Sequence, residues 1–150
     1  MTELLIRKSI EVDAPIETLW TVLTDSQFIQ QYMFGCRVES DWKPGSPMVW
    51  KGAADGKTYV HGHIVSIDPP HRLEYTVFDS TSTMADIPSN YLTMTYELKP
   101  RGARASILEV TQGDFAKVEE GQRRYKDSLG DDNSVLEGIK KLAEAQSRSK

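Results

Sequence analysis

The middle of the chain, from about residue 36 to residue 112, is a succession of short segments in which apolar and polar side chains alternate. The alternation runs through CRVESDW, SPMVWKG, GHIVSID, RLEYTVF, YLTMTYELK and RASILEVTQ, and a period of two is typical of half-buried strands. Most of the connections, such as KPG, DPPH and PRGA, hold too few residues for the crossover that parallel neighbours require. These segments are therefore predicted to pair as an antiparallel sheet of about six strands.

Turn signals separate the strand-like segments. Asp55-Gly56 is the strongest short hairpin signal in the sequence. Pro69 and Pro70 have no N–H to donate, so the pairing must pause between the strands on either side of them. The polar stretch STSTMADIPSN, residues 80–90, is predicted to be a longer loop.

The N-terminal part predicts one further strand and two short helices. Leu4, Ile6, Ile10 and Val12 share one parity, which indicates a half-buried strand. Asp13 is a candidate N-cap, and apolar residues at helical spacing predict a helix over residues 15–24. A fresh cap at Asp25 or Ser26 then predicts a second short helix, which carries the apolar residues Phe28, Ile29, Tyr32 and Met33.

The C-terminal part is predicted to be helical from about Val118 onward. A clear apolar stripe marks its last turns, consisting of Val135, Leu136, Ile139, Leu142 and Ala143. The phase of this stripe continues back to Tyr125 and Val118, so one long helix is compatible with the pattern, and so are two helices broken at Gly130. A sheet and a helix that each have one apolar face bury both by packing together, which predicts a two-layer α+β domain.

Length, charge and cysteine content narrow the class of protein. The 150 residues are expected to form a single domain, with a core over about residues 4–146 and a frayed tail at 147–150. The net charge of −4 argues against a nucleic-acid partner, whose phosphates favour a basic surface. No apolar run approaches the ~18 residues of a membrane span, so no membrane insertion is expected. The single cysteine, Cys36, excludes an internal disulfide, and we expect a cytoplasmic location.

Several stretches together resemble a known family. IEVDAPIETLWTVLTD, GHIVSIDPPHRLEYT, MTYELKPRGARASILEVTQGDF and VLEGIKKLAE are similar to the START-like (SRPBCC, helix-grip) superfamily, in its branch of activator-of-heat-shock-ATPase homologues. That superfamily also includes polyketide cyclase/dehydrase-like proteins. The resemblance covers about residues 6–146. It implies a helix-grip fold, in which an antiparallel sheet of six to seven strands curves around a long C-terminal helix.

The resemblance also implies a cavity between that helix and the sheet, and alternation indicates which side chains face it. Tyr75, Met94 and Tyr96 share the buried parity of their strands, and Trp50 shares its parity with Met48. Each of them could equally be an ordinary core residue. Taken as a set, they are interpreted as the wall of a ligand site, which is predicted to consist of Trp42, Trp50, His61, Tyr75, Met94 and Tyr96.

Metal and catalytic sites are poorly supported by the sequence. His61 and His63 lie two residues apart and therefore on one face of a strand, but no Cys/His cluster supplies the further ligands of a zinc site. A solvated strand face is the simpler interpretation. The familiar phosphate-binding, zinc-protease and serine-hydrolase motifs are missing from the sequence. No catalytic residue, metal or organic cofactor is therefore assigned.

Three functions are compatible with these observations. The leading one is non-catalytic binding of a small hydrophobic or aromatic molecule in the cavity. The second is a cyclase- or aromatase-like enzyme in which a cavity Tyr or His moves protons. The third is a co-factor of a chaperone ATPase or another protein-interaction module. The chain is expected to be a monomer or a homodimer.

Overall fold

The structure is a computed structural model that describes residues 4–33, 35–80, 85–87, 90–113, 115–118, 121–129 and 134–148. Within these ranges seven strands and four α-helices follow one another: β1 (Ile6–Val12), α1 (Ile16–Thr24), α2 (Ser26–Tyr32), β2 (Cys36–Ser40), β3 (Pro47–Gly52), β4 (Thr58–Asp68), β5 (Arg72–Asp79), β6 (Leu92–Pro100), β7 (Ser106–Gly113), α3 (Gly121–Leu129) and α4 (Ser134–Arg148). This order confirms the predicted strand, pair of short helices, run of strands and helical C-terminal part.

All seven strands form one antiparallel sheet in the order β1-β7-β6-β5-β4-β3-β2. From β2 to β7 each strand pairs with its neighbour in sequence, as the short connections require for every pair except β5 and β6, which the longer loop joins. The long-range exception is β1, which pairs with β7 and brings Ile6 opposite Gln112. The α+β class and the helix-grip arrangement predicted from the sequence are confirmed.

The helices bury their apolar faces together with one face of the sheet. α4 contacts α1, α2 and β1, and its Leu136, Ile139 and Ala143 belong to the same core cluster as the inward side chains of the sheet. The stripe predicted at the C-terminus is therefore the buried face of α4. Its possible continuation through Gly130 lies outside the described residues, as do 149–150 at the end of the predicted tail.

Most of the turns lie where glycine, proline and other turn residues in the sequence predicted them. The Asp55-Gly56 pair lies in the turn between β3 and β4, where Gly56 has a φ of 71°, a conformation that glycine adopts without steric cost. β4 ends at Asp68 and β5 begins at Arg72, so the two prolines lie between the strands, as predicted. The predicted loop at 80–90 is described at residues 80, 85–87 and 90, and the strands end on either side of it.

One predicted helix cap is confirmed and one is wrong. Asp25 caps α2, because its side chain accepts a hydrogen bond from the Gln27 N–H at 2.9 Å. Asp13 does not cap α1, whose N-cap position is occupied by Pro15 without a side-chain bond. Instead the Asp13 N–H donates to Glu144 Oε2 of α4 at 2.9 Å. Asp13 therefore bonds to a residue 131 positions away in the sequence instead of to the first turn of α1.

Glu144 ties α4 to the junction between β1 and α1. Besides the Asp13 N–H, its Oε2 accepts a hydrogen bond from Lys140 Nζ at 2.6 Å, and Lys140 also donates to the Glu11 carbonyl at 2.9 Å. Burial by itself raises the pKa of the Glu144 carboxyl, but the bonds from Lys140 and Asp13 outweigh it and the net pKa is lowered. The carboxylate is therefore more stable in the folded chain than in the unfolded one.

Replacing Glu144 by glutamine is expected to lower the free energy of unfolding by about 1–2 kcal/mol at pH 7, because hydrogen bonds to a charged group are lost. A carboxyl with a lowered pKa stabilises the fold above its ordinary value and loses this effect as the pH falls through the folded-state value. The difference between wild type and variant should therefore shrink below about pH 4. Urea denaturation at pH 7 and pH 3 measures it. Glu137→Gln, on the exposed side of the same helix, is the control, and an equal loss there would contradict the assignment.

Candidate ligand pocket and a histidine cluster

A small pocket lies between α2 and the inward face of the sheet. Its wall combines residues of α1, of α2 and the turn after it, and of the four strands β2, β3, β5 and β6: Leu23, Ile29, Tyr32, Met33, Val38, Met48, Trp50, Leu73, Tyr75 and Tyr96. The free space inside this lining measures about 10 Å³, about the minimum that accommodates one water molecule. The wall is apolar except for the indole N–H and three phenol groups.

Aromatic rings from the strands β3, β5 and β6 form the floor of the pocket. The ring centroids of Trp50 and Tyr75 lie 5.3 Å apart, and those of Tyr75 and Tyr96 lie 6.0 Å apart in a stacked arrangement. All three side chains are at most 5% exposed. The antiparallel register explains their meeting, because Leu73 and Tyr96 are direct partners and Tyr75 lies one inward position further along the strand.

The hydroxyl groups of Tyr75 and Tyr96 are weakly satisfied. The Tyr75 O–H donates to the Tyr96 oxygen over 3.5 Å, well beyond the ~2.8 Å typical of a hydroxyl pair. Neither hydroxyl makes another hydrogen bond with the described residues. Burial raises the pKa of both phenols, so they stay protonated at neutral pH and act as hydrogen-bond donors.

Tyr32 brings a third phenol to the pocket from the helical side. Burial of the hydroxyl raises its pKa well above the ordinary value, and Tyr96 raises it further. Gly138 of α4 lets the two helices approach here, since a Cβ at that position would lie 2.9 Å from the Tyr32 Cβ. Tyr32 is one of the apolar residues of the predicted second helix, and those residues could have indicated that a helix forms part of the pocket wall. The strand-based prediction of the site omitted it.

The structure brings together part of the predicted site. Trp50, Tyr75 and Tyr96 line the pocket. Met94 pairs with Tyr75 in register and packs against the same core while partly exposed, and Trp42 also packs against that core. Neither of the two is part of the pocket wall. Their contribution to ligand binding stays a prediction.

His61 does not lie in the wall of the pocket, and its contribution to ligand binding stays a prediction. It pairs with Phe78 across β4 and β5, and its ring contacts Phe78 and Tyr91 at centroid distances of 5.5 and 5.8 Å. Its parity on the strand, opposite to that of the fully buried Ile64, places it on the other face of the sheet. His63 shares that face and exchanges a hydrogen bond with Thr76 Oγ1 at 3.1 Å.

His61 is the centre of a hydrogen-bonded cluster on this outer face. Its Nδ1 lies 2.5 Å from Ser80 Oγ, and its Nε2 lies 3.0 Å from both Asp86 Oδ2 and the Tyr91 hydroxyl. The Tyr91 O–H donates to Asp86 Oδ1 at 2.5 Å. The His61 side chain is 29% exposed and that of Asp86 is 54% exposed. We call these four residues the histidine cluster. Only the position of His61 on its strand could have pointed to it in the sequence.

Other chemistries find little support in the described ranges. They contain no group of three or more His, Cys, Asp and Glu side chains placed to hold a metal ion. Burial and the nearby Asp55 raise the pKa of the Cys36 thiol, which disfavours the reactive thiolate. None of the helices within these ranges combines the length and hydropathy needed to span a bilayer.

Comparison with solved structures identifies the same fold. A protein from Cytophaga hutchinsonii is 34% identical, and the match covers 97% of this chain and 98% of that one with a TM-score of 0.73. An HSP90 activator from Plasmodium falciparum is 18% identical, with 90% and 92% covered and a TM-score of 0.66. The Aha1 dimer from Colwellia psychrerythraea is 12% identical, with 96% and 97% covered and a TM-score of 0.68. At these lower identities the likeness shows the fold alone.

Comparison with known families gives a direct assignment. No curated protein matches the chain. A family model described as Activator of Hsp90 ATPase homolog 1-like protein matches residues 13–144, from the turn before α1 into α4. This range includes all of the pocket wall and the whole histidine cluster. The chain therefore belongs to the family of Activator of Hsp90 ATPase homolog 1-like proteins.

Proposed function

We propose that the chain binds a small aromatic molecule, without chemical change, in the pocket between α2 and the sheet. The carrying observation is the long Tyr75–Tyr96 hydrogen bond of 3.5 Å inside an otherwise apolar lining. Buried hydroxyls favour well-formed hydrogen bonds. A ligand with a flat apolar body and one polar atom would supply a better partner than the two phenols supply to each other.

The pocket must widen to admit such a ligand. Space for about one water molecule is too small for an aromatic ring. The α2 side is the place for this movement, because Tyr32 and Met33 are partly exposed whereas Trp50, Tyr75 and Tyr96 are buried on the sheet. A binding-competent form that is populated in a minor fraction lowers the apparent affinity by that fraction. We therefore expect affinities no tighter than about micromolar.

The lining favours binding over proton transfer in the pocket. Among the described residues it contains no His, Asp or Glu, and burial raises the pKa of its three phenols, so each remains protonated near neutral pH. A cyclase-like mechanism requires a base in contact with the substrate. His61, the base considered from the sequence, lies on the opposite face of the sheet.

The polar part of the proposal is tested with 2-naphthol and naphthalene, which differ by one hydroxyl. We expect 2-naphthol to bind more tightly, and Tyr75→Phe and Tyr96→Phe each to weaken its binding by about 2- to 10-fold, the effect of one net hydrogen bond. Isothermal titration calorimetry measures both dissociation constants. Naphthalene binding should be almost unchanged in the same variants.

Tyr59→Phe is the matched control, since Tyr59 is an exposed tyrosine whose hydroxyl bonds to Asp55 outside the pocket. Equal affinities for the two compounds, or wild-type affinity in both pocket variants, would remove the role of the phenols. Absence of heat and of any thermal shift with either compound, and with a wider panel of flat apolar compounds, would overturn the binding proposal itself.

A second candidate is a co-factor role toward an Hsp90-type chaperone. The observation that favours it is the family match over residues 13–144, together with the similar fold of a solved chain that is described as an HSP90 activator. A coupled ATPase assay with the chain added to purified Hsp90 tests this role. A rise in ATP turnover that is unaffected by Tyr75→Phe would separate it from ligand binding. Sedimentation equilibrium distinguishes the monomer from the homodimer.

A further inference from the structure

The histidine cluster has the connectivity of a hydrolytic triad. Ser80 at the end of β5, His61 on β4 and Asp86 form one hydrogen-bonded chain, with contacts of 2.5 and 3.0 Å on the two ring nitrogens of His61. A nucleophile, a base within hydrogen-bond reach and a group that orients the base are the recurring parts of such sites. The cluster lies on the face of the sheet opposite the ligand pocket, and pocket binding does not use it.

The neighbouring groups decide which nitrogen of His61 carries the proton. The hydrogen bond from Tyr91 lowers the pKa of Asp86, so this carboxylate can only accept. Burial, and then the bond to Asp86, raise the pKa of Tyr91 to about 12, and its single proton is donated to Asp86 Oδ1. The proton between His61 Nε2 and these oxygens therefore belongs to Nε2. Nδ1 is left as the acceptor of the Ser80 O–H.

We propose that Ser80, with His61 as its base and Asp86 and Tyr91 as positioning residues, is an acyl-accepting nucleophile toward small carboxylic esters. Ser80 and His61 are both partly exposed, and the proposed reaction requires an ester carbonyl to reach the serine oxygen from solvent. Asp86 stays ionised and stabilises the imidazolium that forms when His61 takes the proton.

The reaction conserves atoms and charge. Ser80 Oγ bonds to the acyl carbon while its proton moves to His61 Nδ1. The bond from the acyl carbon to the leaving alcohol oxygen then breaks, and that oxygen takes the proton from Nδ1. Water attacks the acyl-serine, giving one proton to His61, and the departing Ser80 oxygen recovers it. The products are one alcohol and one carboxylic acid, and nothing is oxidised or reduced.

The backbone sets an upper limit on the rate. The Ser80 N–H already donates to the Tyr59 carbonyl at 3.0 Å, so it is not free to stabilise the oxyanion. One missing oxyanion donor costs about 10²–10³ in rate. We therefore expect stoichiometric acylation of Ser80 by activated esters, followed by slow turnover, and stoichiometric phosphonylation of Ser80 by fluorophosphonates, with release of fluoride.

Labelling of the folded full chain with a fluorophosphonate, followed by peptide mass spectrometry, tests the assignment. The probe should modify Ser80, and modification should be lost in urea, where the cluster is dispersed. His61→Gln should slow the labelling at least about 100-fold, since a positioned base contributes about 10²–10⁴ in rate. His63→Gln, on the same strand and face, should be labelled at the wild-type rate. Ser80→Ala should abolish the labelling, and Ser66→Ala is its control, which should leave the labelling of Ser80 unchanged.

Asp86→Asn tests the positioning role separately. The amide N–H₂ donates to His61 Nε2, which forces the proton onto Nδ1 and removes the acceptor of the Ser80 proton. Labelling of Ser80 should slow by at least about 10-fold while thermal stability, measured in parallel, changes little, and Asp86→Glu should restore part of the rate. A cluster that only fixes the chain to the sheet would instead change the stability and leave the labelling pattern as it was.

Hydrolysis of p-nitrophenyl acetate supplies the second readout. A burst of about one nitrophenol per chain, followed by slow release, is expected in wild type and should disappear in Ser80→Ala. Absence of label on Ser80 in the wild-type protein, or equal labelling in wild type and a folded His61→Gln variant, would overturn the proposal.

Discussion

Replacing Phe115 by alanine is expected to lower the free energy of unfolding by about 3–5 kcal/mol, among the largest single losses in the chain. Phe115 is fully buried in a second, smaller apolar cluster with Ile6, Leu92 and Val118. Its ring meets Tyr125 of α3 edge-on at a centroid distance of 5.6 Å. Truncation leaves a cavity at the place where β1, β6 and α3 meet, and the loss contains both a transfer and a cavity contribution.

Guanidinium denaturation measures this loss from the shift of the unfolding midpoint at constant slope. Phe28→Ala is the matched control, because Phe28 packs against the main core while partly exposed, and a smaller loss is expected there. Similar losses for the two phenylalanines would contradict the buried position of Phe115. Ligand affinity in the pocket should be unchanged, since Phe115 belongs to the other cluster.

Replacing Gly62 by alanine is expected to cost about 3 kcal/mol, at the upper end of what overpacking causes. A Cβ on Gly62 would lie 1.8 Å from the Thr76 carbonyl oxygen of the neighbouring strand β5. The added Cβ and the Thr76 carbonyl oxygen both belong to backbone that is paired within the sheet, and neither can rotate away. β4 and β5 therefore have to separate around this point. Because His61 belongs to β4 and Ser80 directly follows β5, the histidine cluster should lose its geometry as well.

Thermal unfolding of the variant provides the stability, and fluorophosphonate labelling of Ser80 reports on the cluster. Gly52→Ala is the control: its Cβ would meet the Asp55 carboxylate at 2.4 Å and the Tyr59 ring at 2.9 Å, side-chain atoms that can move away. A loss below about 1 kcal/mol is expected in that variant. A Gly62→Ala variant as stable as wild type would show that the two strands are further apart at this point than the structure has them.

Much of the fold could be predicted from the sequence because its signals are local. Period-two alternation identified the strands, and short connections dictated antiparallel pairing for the neighbours from β2 to β7 other than β5 and β6, which a longer loop joins. The same alternation placed Tyr75 and Tyr96 on the inward face, where the structure has them. Asp25 was found as a cap because its partner is two residues away.

The two sites depended on contacts that sequence spacing does not reveal. Tyr32 joins the pocket from α2 because α4 supports that helix from behind, with Gly138 against Tyr32. The partners of His61 lie 19, 25 and 30 residues away along the chain. Alternation correctly separated His61 from the face of Ile64, but the predicted site grouped it with aromatic residues that lie on the other face of the sheet.

The sequence by itself determined the class of the domain, the strands and their antiparallel neighbours, and the buried face of the last helix. These features follow from side-chain period and turn length, which act over a few residues. The tertiary structure alone decided that β1 closes against β7, that Glu144 holds Asp13, and that the free space of the pocket shrinks to about one water molecule. Those outcomes depend on how side chains that are distant in sequence fill a common volume. Protein interiors are close-packed, so this filling is a property of the whole core.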